Sequence, residues 1–285
     1  MQAVVLGTPE PVRLFAFGQG GAAFVEAIHC ESTGPVADLL AGSFNHSRPD
    51  GIPLTDSDLE GVAIVFIAVS LDASEAEMNL ALEFASRAFA QDLRVIGIVI
   101  HPDRHTPENP ELTQALEDQV IDARIDMRAD ATEAEMQALR WFYAGLRGAA
   151  RDGTLILEPG WDLSDVVSVL DLPGSLLSLA THAVPKGTSL LTAVTKALED
   201  LEQNGTELGL ASGVLLVVWC APDQVLYARE IREVAKAASD AVQGGLHLTL
   251  TARSTEPWGD VGACVDSVKQ HGRLNDIHLG RLGRG

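Results

Sequence analysis

The sequence predicts an α/β protein: an amino-terminal, Rossmann-like domain on a parallel sheet, a long central helix, and a smaller α+β domain behind it. Three observations carry this reading. Two strand-length apolar runs, within Val62–Val69 and Arg94–Ile100, have the continuous hydrophobicity of parallel strands covered by helices on both faces. A helical pattern lies between them, and the right-handed crossover of such a unit makes the two strands parallel. A long helical pattern from Thr132 to Ala150 then separates this half from a second series of helices and strands. The expected organisation is residues 1–131 as the first domain, 132–158 as central helix and connection, 159–270 as the second domain, and 271–285 as a tail.

At 285 residues with 46% hydrophobic content the chain has ample material for packed cores, as one large domain or two small ones. VAIVFIAV, RVIGIVI and GVLLVVWC are strand-sized, so no membrane span is expected. The opening MQAVVLGTPEPV lacks a basic region followed by a long apolar core, and a cytoplasmic location is the expectation. Cys30, Cys220 and Cys264 are odd in number and lack metal-ligand spacing, which predicts reduced thiols. A net charge of −20 opposes contact with phosphate backbones, so nucleic acid is excluded as a partner.

In chain order, Val12–Phe17 reads as a buried strand, followed by Gly18-Gln19-Gly20-Gly21 and a helical pattern from Phe24 to His29. A glycine turn between strand and helix lets backbone amides approach an anion at the positive helix end. The same glycines equally serve a tight turn with positive φ and close helix packing. Glu31–Gly61 is rich in Pro, Gly, Ser, Asp and His and reads as loop, with one helical turn at Val36–Leu40. After the Val62–Val69 strand, Ser70-Leu-Asp-Ala-Ser-Glu75 starts a helix to about Ala90, with Asp72 and Glu75 spaced as a capping box. His101 and His105 flank Pro102 and read as solvated loop histidines. Glu108–Asp130 shows two helical patterns with charged faces. Trp141, Phe142 and Leu146 give the central helix an apolar stripe expected in the core. Behind it come an amphipathic helix at Ser189–Leu201, a strand at Gly213–Cys220, a helix at Ala228–Val242, and strands at Leu246–Arg253 and Val261–Val268.

Between the halves lies Pro159-Gly-Trp-Asp-Leu-Ser-Asp-Val166. Asp162 or Ser164 can accept from the free amides of a starting helix, so capping explains the pair Asp162 and Asp165 as readily as catalysis. GWDLSDVVSVLDLPGSLLSLA resembles the corresponding segment of FtsZ and the tubulin superfamily, which writes NxDxxDV, then a short helix and a Gly-Ser-Ala-rich turn. The resemblance places Asp162 and Asp165 on the two aspartates of the family's synergy loop, which reaches the next subunit's nucleotide and positions the attacking water. Gly160 stands where the family has asparagine. QALRWFYAGLRGAARDG resembles the family's central helix, the later elements resemble its carboxy-terminal domain, and Gly18, Gly20 and Gly21 match its first glycine loop.

The resemblance also fails at the phosphate signature, and Glu31–Gly61 is too short for the two further strands and nucleotide loops that the family carries there, so the first domain reads as pruned. Where the family carries GGGTGTG around the phosphates, this chain has SLDASEAEMN. A carboxylate about 5 Å from a phosphate charge costs about 3 kcal/mol per charge pair at an effective dielectric near 20. Asp72, Glu75 and Glu77 would together exclude a triphosphate, unless they hold a bridging Mg²⁺. The resemblance therefore implies an FtsZ-like cytoskeletal or cell-division protein that no longer hydrolyses GTP, needs no cofactor, and acts through contacts with FtsZ-like subunits, its own or a host FtsZ. The alternative is a working GTPase that polymerises, with GTP or GDP and Mg²⁺ as cofactors and Gly18–Gly21 and Asp72 at the nucleotide. A third reading is an acidic module binding an unrelated small ligand in a cleft of the fold.

Overall fold

A computed structural model describes residues 12–30, 45–47, 56–102, 121–151, 175–185, 187–220, 227–242, 246–253 and 260–270. The elements are β1 (Val12–Phe17), α1 (Gly18–Cys30), β2 (Asn45–Ser47), β3 (Ile64–Ser70), α2 (Glu75–Ala90), β4 (Arg94–His101), β5 (Ala123–Arg128), α3 (Glu133–Arg151), β6 (Ser175–Pro185), α4 (Leu190–Gln203), β7 (Gly213–Cys220), α5 (Ala228–Ala241), β8 (Leu246–Arg253) and β9 (Asp260–Gln270). Short 3₁₀ turns lie at Asp56–Leu59 and Leu208–Leu210.

The strands form one sheet in the order β2-β1-β3-β4-β5-β6-β9-β7-β8. From β2 through β5 every pairing is parallel, as the apolar runs predict. β6 joins β5 through two parallel rungs, Ala123↔Ser175 and Arg124↔Leu176, and then runs antiparallel to β9. The α/β fold class thus stands, with a parallel first half and a mixed second half.

Alternation along the strands sorts side chains into two layers. Leu14 and Ala16 of β1, with Ile64, Phe66 and Ala68 of β3, face α1 and α3 in one apolar cluster. Phe15, Phe17, Val65, Ile67 and Val69 face the opposite side, where α2 packs. The ring of Phe84 sits 4.6 Å from that of Phe15. Trp141, Phe142 and Leu146 of α3 are buried in the first cluster, which also takes in Leu177, Leu215 and Val217 from the second half. The central helix is therefore core to both halves. α4 and α5 cover the other face of β6 and β7 through Ala180, Leu190, Val194, Val214, Val218 and Val234.

Several expectations from the sequence change. Three strands escape it: β2 inside the predicted loop, β5 inside a stretch that reads as helical, and β6 behind the interdomain loop. α1 begins directly at Gly18, so the glycines form its first turns and are not a separate loop. His101 closes β4, with its Nε2 3.4 Å from Asp126 Oδ1 across the sheet, and is not a solvated loop histidine. His105, Asp162, Asp165 and the three cysteine side chains lie outside the described residues or side chains. No helix among the described residues is long and apolar enough to cross a membrane.

Candidate functional site

The carboxyl ends of β1, β3, β4 and β5 meet at one edge of the parallel half, where clefts of α/β proteins form. A cavity of about 350 Å³ opens there. Its polar lining among the described residues is Gly20, Ser70, Asp72 and Glu133; Phe24, Ile100 and Met136 contribute apolar wall.

The glycines reach this edge for reasons that can be separated. Gly18 has φ +70°, which L side chains rarely adopt, so the reversal from β1 into α1 requires it. Gly21 is there for close packing: a β-carbon on it would stand 2.6 Å from the carbonyl oxygen of Ala68 on β3. On Gly20 a β-carbon would lie 2.7 Å from the Ser70 Cβ and 3.7 Å from Asp72 Oδ1. The turn thus meets the tight-turn and close-packing requirement in full. Gln19 is exposed beside it.

Acidic side chains occupy the space before the helix end. The Glu77 carboxylate lies 2.9–3.1 Å from where a β-carbon on Gly18 would stand, against the positive end of α1. It is fixed there by a capping box: Ser74 N and Oγ both donate to Glu77 Oε2 at 2.8 Å, and Glu77 N donates to Ser74 Oγ at 3.3 Å. The box is therefore Ser74 and Glu77, two residues later than the expected Asp72 and Glu75, because Asp72 accepts the hydroxyl of Ser70 instead. That serine, buried at the end of β3, also points at the carbonyl of Ile100, 3.3 Å away. The structure so brings Gly18, Gly20, Asp72 and Glu77 to one place, with Asp72 and Gly20 in one cavity wall.

Glu133 is a lining residue that sequence reasoning passed over. Its position follows from a second capping box, in which Thr132 N and Oγ1 donate to Glu135 at 2.6 and 2.7 Å and start α3 at this edge. The signal, Thr-x-x-Glu before an apolar stripe, is present in the sequence. Glu133 accepts at 2.6 Å from Arg140, a side chain only 1% exposed. Arg140 also donates to the carbonyls of Ile28 and Ala27, each at 3.1 Å, and so ties the end of α1 to the central helix. Among the described residues no group of three or more His, Cys, Asp or Glu side chains is arranged to hold a metal ion.

No family model matches this sequence, and no curated protein matches it. Solved structures do. An empty FtsZ dimer from M. jannaschii superposes with a TM-score of 0.57 at 13% identity, covering 95% of this chain and 96% of that one. CetZ2 from Haloferax volcanii, a GTPγS-bound protofilament, gives 0.57 at 14%, covering 91% and 93%. TubZ from Bacillus thuringiensis serovar israelensis, in GDP-form protofilaments, gives 0.52 at 10%, covering 92% and 86%. Likeness along nearly the whole of each chain, at identities this low, is a statement about architecture: this chain has the FtsZ/tubulin fold.

Proposed function

We propose that this protein acts through filament-type contacts between FtsZ-like subunits, its own or those of a host FtsZ, and that it does not hydrolyse GTP. The observation that supports this reading is Glu77. Its carboxylate stands at the amino end of α1, held by Ser74, where an anionic ligand of the glycine turn would have to come. A helix end already neutralised by its own chain gains little from a bound phosphate, and a triphosphate would meet Asp72 and Glu77 at short range. No step of GTP chemistry can then be assigned to the glycine turn, and what remains to the fold is its surface.

A second reading keeps the nucleotide. Similar structures include a GTPγS-bound protofilament and GDP-form protofilaments. On that reading Gly18–Gly21 hold the phosphates, Mg²⁺ offsets Asp72 and its neighbours, and Asp162 and Asp165 act on the nucleotide of an adjoining subunit.

Sedimentation with a phosphate-release assay separates the two. The proposal expects pelleting, alone or with host FtsZ, that is the same with and without GTP, and no phosphate release above buffer. Pelleting that requires GTP and is accompanied by turnover would establish the second reading in its place.

A further inference from the structure

We draw no further inference here: the strongest candidate, the cavity of about 360 Å³ between the start of α3, β6 and the end of α4, carries nothing, because its charged lining residues Arg128, Glu135 and Asp200 are at least partly open to solvent and no observation in the structure points to a ligand for them.

Discussion

Replacing Arg140 with methionine is expected to destabilise the protein by about 3 kcal/mol, the cost of removing several hydrogen bonds made by a charged group at a buried site. Two main-chain carbonyls and the side chains of Glu133 and Gln137 accept from this one guanidinium. Nε donates to Ile28 O and Nη2 to Ala27 O, and both carbonyls belong to the last turn of α1. Nη1 reaches Glu133, which is 62% exposed and so returns to water without large loss. Most of the penalty therefore falls on the α1 terminus. Methionine keeps much of the side-chain volume at a site 1% open to solvent, which isolates the polar contribution from a cavity effect. Urea unfolding measures it as a lower midpoint with an unchanged slope. Arg229→Met serves as the comparison: Arg229 is 88% exposed and, among the described residues, paired to Glu233 one turn on, and its loss should leave the midpoint where it is.

Gly21→Val should cost at least as much, about 3 kcal/mol or more, because the obstruction is backbone and cannot be relieved by a rotamer change. The β-carbon would stand 2.6 Å from Ala68 O and 3.7 Å from Val69 Cα. α1 would have to lift away from β3, opening the layer in which Phe24, Val25 and Ile28 are buried. Gly187→Ala provides the contrast. Its φ of +91° makes the substitution strained, yet a β-carbon there meets nothing within 4 Å, so the cost is limited to about 1 kcal/mol. Thermal unfolding of the two variants side by side tests whether Gly21 is a packing glycine or one kept for access to a ligand.

What could be read from the sequence follows from how strongly each segment's environment is written in its composition. β3 and β4 are apolar on both faces because helices cover both, and their runs are unmistakable. β5 lies in the same sheet but carries Arg124, Asp126 and Arg128 on alternate positions, where they pair with one another, His101 and Asp130. Charge at every second residue inside an acidic stretch obscured the period of two. β2 is three polar residues at the sheet edge, too short for any pattern. The continuous sheet through Ala123↔Ser175 is a long-range pairing that no local signal announces.

The site was legible in part. The glycine turn and Asp72 could be named because their residue types are unusual between strand and helix. The position of Glu77 over Gly18 depends on how α2 is capped relative to α1, which is set by two turns packed side by side. Glu133 comes from the far side of β5 and enters the cavity only because α3 crosses the sheet at that edge.

The central claim is that the fold of FtsZ is kept here while the place of its phosphates is taken by the chain's own carboxylates. Isothermal titration of the protein with GTP in the presence of Mg²⁺ tests it most directly. The account predicts no saturable heat up to about 1 mM GTP, an affinity too weak to matter. One-to-one binding in the micromolar range would contradict it.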